Sequence, residues 1–245
     1  MRSQHEVDHA LALCHRGLTP SEVARRTGIP RSTVRDWRNG RPPRHSRCSA
    51  EHNLARLEGT AYAYLLGMYL GDGCISARPR GVWRLRITLD SVYPNVVAEC
   101  ARAVEVVARR KANVMLRRDS RAAVVSSYWK HWVCLMPQHG PGRKHTRPIV
   151  LAEWQRRIVS AHVEPFLRGL IHSDGTRIIA VERKGAYVRR APRYAFSNRS
   201  EDILELFRVA CQMAGVHCTR SSRKQISVYS KAAVARLDEF VGPKR

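Results

Sequence analysis

Acidic residues are scarce in this chain: 20 Asp and Glu stand against 44 Lys and Arg in 245 residues, a formal charge of +24 with a pI near 10.9. Such a balance gives a strong, sequence-independent attraction to polyanions and makes nucleic acid the natural partner. Lysine is scarce as well, 7 against 37 arginines. That bias favours bidentate phosphate and guanine contacts, although genomic base composition can produce it too. Long hydrophobic runs are missing: the most apolar stretches last about 10 residues, where a bilayer span needs roughly 20. Neither a signal peptide nor a lipidation signal is visible, so a membrane role is not expected and the expected location is cytoplasmic. The seven cysteines are odd in number and have no repeated spacing, which excludes a disulfide framework and suggests reduced thiols. Two His/Cys groups, His45–Cys48–His52 and His131–Cys134–His139–His145, lack paired CxxC or HxxxH spacing, so structural zinc is not expected. A local signature around a nucleophilic serine or tyrosine, which a DNA recombinase would need, is also absent.

What is present is a repetition. LLGMYLGDG at Leu65 to Gly73 returns as LRGLIHSDG at Leu167 to Gly175, pairing Leu65 with Leu167, Gly67 with Gly169, Gly71 with Ser173, Asp72 with Asp174 and Gly73 with Gly175 at an offset of 102 residues. Residues four apart share a helix face, so Gly67/Gly71 and Gly169/Ser173 each form a seam of small residues along which two helices can approach closely. The repeat runs on. Ser126-Ser127-Tyr128-Trp129-Lys130 returns as Ser227-Val228-Tyr229-Ser230-Lys231 at an offset of 101, and an extended stretch ending at Leu89 matches one ending at Phe196 at 107. A longer hairpin around Gly185 to Pro192 in the second copy accounts for the changing offset.

Each half reads as helix, two strands, helix, two strands, helix. In Trp83 to Leu89 the apolar Trp83, Leu85, Ile87 and Leu89 alternate with Arg84, Arg86 and Thr88, so one strand face goes to a core and the other is basic. Tyr194 and Phe196 alternate with Ala195 and Ser197 behind Arg193 in the same way. The middle helices carry apolar residues at helical spacing: Val96, Val97, Cys100, Val104 and Val107 in one, Ile203, Leu204, Phe207, Ala210 and Cys211 in the other.

The two aspartates attract attention on physical grounds. A carboxylate at a helix C-terminus faces the negative end of the macrodipole, and pairing the helix ends brings two such charges together; both effects call for a cation. Hard divalent ions take carboxylate and carbonyl oxygens and can activate water while stabilising a leaving oxygen. Gly73 and Gly175 fit the left-handed residue that commonly ends a helix. The alternative is that each Asp-Gly is only a helix stop. Lys130 and Lys231 fall at the same place in the repeat, each sharing a strand face with a Tyr and a Ser, and either could stabilise charge on a phosphorane or make an ordinary phosphate contact. Gln225 is a weaker candidate.

With these features the chain resembles a single-chain LAGLIDADG homing endonuclease over roughly residues 60 to 242, departing from the family name at Met68-Tyr69 and Ile171-His172 among others. The resemblance implies an α+β fold of two pseudo-symmetric αββαββα repeats, with saddle-shaped antiparallel sheets straddling duplex DNA. It also implies divalent metal, Mg²⁺ or Mn²⁺, held by Asp72 and Asp174 with the backbone of Gly71 and Ser173. Lys130 and Lys231 would be the basic residues near the metal that polarise water or stabilise developing charge, and Arg84, Arg86, Arg117, Arg193 and Arg220 would be DNA contacts from the sheets.

Ahead of this lies GLTPSEVARRTGIPRSTVRDWRNG, Gly17 to Gly40, which resembles a helix-turn-helix of the resolvase-like or homeodomain-like kind. Thr19-Pro20-Ser21-Glu22 carries a capping-box pair with proline at the first helical position. Gly28 makes the turn, Val23, Ile29, Val34 and Trp37 supply a core, and an earlier helix from His5 to Arg16 adds Val7, Leu11 and Cys14. The second helix of the pair would present Arg31, Ser32, Thr33, Arg35 and Arg38 to a major groove.

The expected organisation is a helix-turn-helix domain at 1–40, a basic linker at 41–59, and repeats at 60–160 and 161–245. The expected function is a free-standing, metal-dependent, site-specific double-strand DNA endonuclease, acting as a monomer that is a pseudo-dimer within one chain, of the kind tied to intron or intein mobility. The competing expectation is a DNA-binding transcriptional regulator that keeps the fold and does not cut.

Overall fold

The structure is a computed structural model and describes residues 4–40, 57–184, 187–242 and 244. The chain divides into two compact units, Met1–Ser49 and Ala50–Arg245. The group His45–Cys48–His52 and the expected linker up to residue 56 lie outside the described residues.

The N-terminal unit contains α1 (Gln4–His15), α2 (Pro20–Thr27) and α3 (Arg31–Arg38). The expected capping box forms: the Thr19 N–H donates to Glu22 Oε2 at 2.8 Å and the Glu22 N–H to Thr19 Oγ1 at 3.4 Å. Such a cap contributes about 1 kcal/mol. Gly28 closes α2 in the left-handed region, at φ 67°, a conformation that a β-carbon would strain. The buried core is Val7, Ala10, Leu13, Val23, Ile29, Val34 and Trp37. The inward stripe of α1 therefore differs from the expected one, because Leu11 and Cys14 sit at its edge, partly buried, while Ala10 and Leu13 face the core.

The larger unit is α+β and built twice. Its first half is α4 (Gly59–Asp72), β1 (Gly73–Ala77), β2 (Trp83–Asp90), α5 (Pro94–Ala108), β3 (Asn113–Leu116), β4 (Ala122–Trp129) and a four-residue helix α6 (Trp132–Leu135). A loop and a connecting helix, α7 (Glu153–Ala161), lead to the second half. That half is α8 (Val163–Asp174), β5 (Gly175–Lys184), β6 (Tyr187–Ser197), α9 (Glu201–Met213), β7 (Thr219–Ser222), β8 (Gln225–Val228) and α10 (Lys231–Phe240). Both sheets are antiparallel and share one strand order, β1-β2-β4-β3 and β5-β6-β8-β7. α4 begins at Gly59, and Glu58 caps it by accepting from the Thr60 and Ala61 N–H groups.

Periodicity explains the layers. In β2, Leu85, Ile87 and Leu89 are buried against the helices while Arg84 and Arg86 face outward. All ten apolar residues expected on the middle helices are buried, and Phe196 of β6 stacks on Phe207 of α9 at 4.3 Å. The second hairpin is the longer one, with β5 and β6 of 10 and 11 residues against 5 and 8 for β1 and β2; residues 185–186 at its tip lie outside the described set. α4 is buried from Tyr62 to Leu70 without a break, as befits a helix enclosed on every side. Among the described residues no helix is long and apolar enough to cross a membrane.

Candidate functional site

The seam of small residues brings α4 and α8 together backbone to backbone. A β-carbon on Gly67 would lie 2.5 Å from the Phe166 carbonyl oxygen, and one on Gly169 only 2.2 Å from that of Tyr64. Near the C-terminal ends, a β-carbon on Gly71 would meet Ser173 Oγ at 2.2 Å and Asp174 Oδ2 at 3.0 Å. The Ser173 hydroxyl turns back to donate to the carbonyls of Leu170 (2.9 Å) and Gly169 (3.1 Å), so its side chain serves the packing. His172, in place of a simple apolar letter, is buried, pushed down to about 4 by burial and then by Arg168, and bonded through Nδ1 to the Tyr64 hydroxyl at 3.0 Å.

Asp72 and Asp174 end the two helices side by side, both half-buried. Burial pushes the Asp72 carboxyl up to about 6, with the charge of Asp174 adding to the rise and Lys144 and Lys244 opposing it. Asp174 is also raised by burial, against a hydrogen bond from Asn198 and the same two lysines. Gly73 and Gly175 correct the sequence reading. They are the first residues of β1 and β5, extended at φ −83° and −99°, and not left-handed caps. Glycine is needed there for space: a β-carbon would fall 2.5 Å from the Tyr69 Cα or 2.7 Å from the Ile171 Cα.

The cations at these carboxylates are Lys144 and Lys244, which the sequence reading passed over. Lys144 Nζ donates to the carbonyls of Tyr69 (2.5 Å) and Gly71 (2.6 Å), and Lys244 Nζ to that of Gly175 (2.6 Å). The last-turn carbonyls of a helix carry the negative end of its dipole, which is why the Lys144 ammonium settles on those of Tyr69 and Gly71; Gly175, held by Lys244, is the first residue of β5. Burial lowers Lys144 to about 8 and also lowers Lys244, while both aspartates pull each back up. A signal for the pair was available. Gly142-Arg143-Lys144 and Gly242-Pro243-Lys244 repeat at an offset of 100, and both glycines take positive φ, 74° and 65°.

Lys130 and Lys231 lie elsewhere. β4 ends at Trp129, leaving Lys130 exposed in the following turn, and Lys231 is the exposed first residue of α10 behind the cap Ser230. The strand alternation that put each of them with a Tyr and a Ser therefore stops one or more residues short of the lysine.

The open sheet faces carry the arginines. Arg84 pairs across the ladder with Ser76 and Tyr128, Arg86 with Cys74 and Ser126, and Arg193 with Ile178. Arg84 reaches Ser126 Oγ at 3.4 Å and lies over the Tyr128 ring. The Nε atoms of Arg84, Arg86 and Arg193 are buried without a protein partner, donors that are costly to leave unpaired and suited to an incoming acceptor. Gln225 lies on the open face beside Ser197 and donates to Ser227 Oγ at 3.2 Å. Arg117 is exposed and pairs with Asp119 at 3.4 Å. Arg220 departs from expectation. It sits opposite core-facing Ile226, holds Glu201 of α9 with both nitrogens and also bonds the carbonyls of Ser222 and Arg223, so its charge is already met on the helix side.

In the N-terminal unit, Arg31, Ser32, Arg35 and Arg38 are exposed on α3 and Thr33 is half-buried. His131, Cys134, His139 and His145 form no cluster, and no group of three or more His, Cys, Asp or Glu side chains able to hold a metal occurs among the described residues. A divalent ion at Asp72 and Asp174 would have two carboxylates and nearby carbonyls, a hard-oxygen set that fits Mg²⁺ or Mn²⁺ once phosphate or water oxygens complete it.

Comparison with known proteins bears on both units. The homeodomain-like domain family matches residues 9–40. A search of curated proteins finds no match. Among solved structures, mesophilic variants of the homing endonuclease I-DmoI are similar at 16% identity and a TM-score of 0.48, covering 75% of this chain and 89% of that one. The N-terminal LAGLIDADG domain of DUF199/WhiA is similar at 13% and 0.47, covering 83% and 93%. The LAGLIDADG meganuclease I-AabMI, bound to uncleaved DNA, is similar at 8% and 0.46, covering 73% and 82%. The chain is thus similar to LAGLIDADG homing endonucleases and to the WhiA LAGLIDADG domain, with a homeodomain-like segment ahead.

Proposed function

We propose that this chain is a divalent-metal-dependent endonuclease of duplex DNA, with the helix-turn-helix unit at 1–40 adding contacts and the two repeats at 60–160 and 161–245 gripping the duplex. One observation carries the reading: two aspartates end two tightly packed helices, each raised by burial, with a lysine on the adjacent carbonyls of each strand-bearing half. A helix stop alone needs no second carboxylate beside it, whereas a pair of half-buried carboxylates offers a hard-oxygen site for a divalent ion.

In this reading Asp72 and Asp174 would hold Mg²⁺ or Mn²⁺, with the backbone oxygen of Ser173; the Gly71 carbonyl, also expected as a ligand, is taken by the Lys144 ammonium at 2.6 Å. The metal supplies an activated water and stabilisation of the leaving oxygen. Lys144 and Lys244 place positive charge where the scissile phosphate gains negative charge, a role worth several kcal/mol in a desolvated site. Arg84, Arg86, Arg193 and Arg117 take phosphates and base edges from the open sheet faces, Lys130 and Lys231 contribute phosphate contacts, and Arg31, Ser32, Thr33, Arg35 and Arg38 read a major groove. Both halves lie in one chain, which supports action as a monomer.

A second reading, a DNA-binding regulator that does not cut, is favoured by one specific observation. Two lysines already face the two aspartates, so the cluster is balanced in formal charge without a metal. The deciding experiment is selection of a bound duplex, followed by incubation across a metal series. Staggered scission in Mg²⁺ or Mn²⁺ and intact DNA in EDTA support the nuclease; tight, metal-indifferent binding with intact DNA supports the regulator.

A further inference from the structure

Asp72 and Asp174 hold equivalent places in the repeat, yet their surroundings differ. Asp174 Oδ2 accepts a hydrogen bond from Asn198 Nδ2 at 2.6 Å. Asn198 is itself fixed at two points: its Oδ1 accepts from the Ser200 N–H at 2.7 Å, and its own N–H donates to the Lys224 carbonyl at 3.0 Å in the β7–β8 turn. The matching residue of the first half is Ser91. It stands 107 residues earlier, the offset that relates Leu89 to Phe196, and its N–H donates to the Arg121 carbonyl at 3.1 Å in the β3–β4 turn. The serine hydroxyl is carried one atom nearer the backbone than the asparagine amide nitrogen. Among the described residues no side chain donates to the Asp72 carboxylate, whereas Lys144 and Lys244 each act on both aspartates.

A ligand oxygen held by an outer partner is oriented before the ion arrives, and loss of such a partner commonly lowers metal affinity 10- to 100-fold. We propose that Asn198 is a positioning residue that presets the Asp174 carboxylate for a divalent ion. The two halves of the site are then unequal, with the Asp174 half loading its ion more tightly and cutting its strand first. The part about cutting rests on the nuclease reading above; the part about ion affinity does not.

The test uses the full chain and two substitutions that exchange the halves. Asn198→Ser makes the second half copy the first, and its hydroxyl still offers an acceptor to the Ser200 N–H. Ser91→Asn gives the first half the missing donor. Terbium luminescence, sensitised by the protein's tryptophans, reads hard-ion binding without any need for cleavage. The wild type should show a tight and a weak class of site, Asn198→Ser should weaken the tight class by roughly 10-fold or more, and Ser91→Asn should tighten the weak one. On a supercoiled plasmid bearing the selected site, the wild type should accumulate nicked circles, Asn198→Ser should slow the first nick, and Ser91→Asn should shorten the life of the nicked form. A tight class untouched by Asn198→Ser, or equal sites in the wild type, overturns the inference. Should Asn198→Ser not fold, an unchanged weak class in Ser91→Asn overturns it alone. The expected terbium shifts with a plasmid that stays supercoiled would uphold the unequal halves and remove the nuclease reading.

Discussion

Lys144 Nζ lies 2.6 Å from the carbonyl oxygen of Gly71, the residue immediately before Asp72. The same ammonium bonds Tyr69 of the last helical turn and lies 5.2 Å from the centre of its ring. Lys244 makes the corresponding approach at the other helix, through Gly175. Lys144 thus stabilises a helix end, Lys244 holds the first strand residue beyond the other helix, and both favour the ionised carboxylates there. Replacing either by Met should lower single-turnover cleavage at least 100-fold, in the range typical of losing one preorganised transition-state donor. Affinity for the duplex in Ca²⁺ should change by less than about 10-fold, since one phosphate contact at most is lost. Lys130→Met and Lys231→Met should show the opposite pattern, a modest loss of affinity with the cleavage rate at saturation kept. Equal cleavage rates for Lys144→Met and Lys130→Met would remove Lys144 from the chemistry of scission.

The seam between α4 and α8 makes a graded prediction. At Gly169 an added β-carbon would strike a backbone carbonyl at 2.2 Å, and at Gly67 one at 2.5 Å, with no flexible side chain able to yield. Gly169→Val and Gly67→Val should each cost about 3 kcal/mol or more, at the upper end for overpacking. Gly71→Ala adds a single carbon and should cost less than either valine, but it still destabilises: the Ser173 hydroxyl at 2.2 Å can rotate away, whereas the Ser173 Cβ at 2.5 Å cannot. Denaturant melts order the three, and a Gly169→Val protein as stable as the wild type would be incompatible with this packing.

The contrast between these seams and the lysines shows what a sequence makes legible. The αββαββα repeat could be read because Leu65–Gly73 and Leu167–Gly175 match in register and because strand and helix periods assign faces residue by residue. Asp72 and Asp174 could be read because they are fixed to helix ends by the backbone itself. Lys144 and Lys244 reach the site from segments about 70 residues further along the chain, and no local period announces that return; only the repeated Gly-x-Lys hinted at it. Asn198 left no trace of this kind, since its counterpart is Ser91. Gly73 and Gly175 mislead for a different reason: glycine answers both to a left-handed φ and to a close contact, and composition does not separate the two. Arg220 misleads because an arginine in a strand does not disclose that Glu201 waits on the helix above it.

Burial of Asp72 makes its charge a liability to the fold. The group's folded value, about 6, stands above the 3.8 ordinary for an aspartate, so its contribution to stability is fully present below about 4 and is lost as pH rises through about 6. Asp72→Asn should therefore melt higher than the wild type at pH 7 to 8, by on the order of 1–2 kcal/mol, and the two should converge below about pH 4. Cleavage should run the other way. It needs the ionised carboxylate, so it should fall as pH drops through about 6 and be absent in Asp72→Asn at every pH. Thermal melts and strand scission across one pH series test both, and a substitution that destabilised the protein at pH 8 would show that the lysines more than offset the burial.

The contribution of α3 can be tested separately from that of the larger unit by salt. Arg31, Arg35 and Arg38 are exposed on one short helix whose opposite side, Val34 and Trp37, is buried in the small core, so alanine at the arginines should leave that unit folded. Each arginine that neutralises a phosphate contributes roughly 0.9 to the slope of log affinity against log salt. An arginine that instead reads guanine contributes about 1–3 kcal/mol at one base pair and relaxes selection there. Arg35→Ala and Arg38→Ala should each show one signature or the other, measured as binding to the selected duplex from low to physiological salt and to single-base variants of it. At saturating protein the rate of scission should stay at the wild-type value, because Asp72, Asp174, Lys144 and Lys244 all lie in the other unit. Substitutions that changed neither slope nor selection would remove α3 from the DNA interface and leave recognition to the sheet arginines Arg84, Arg86 and Arg193.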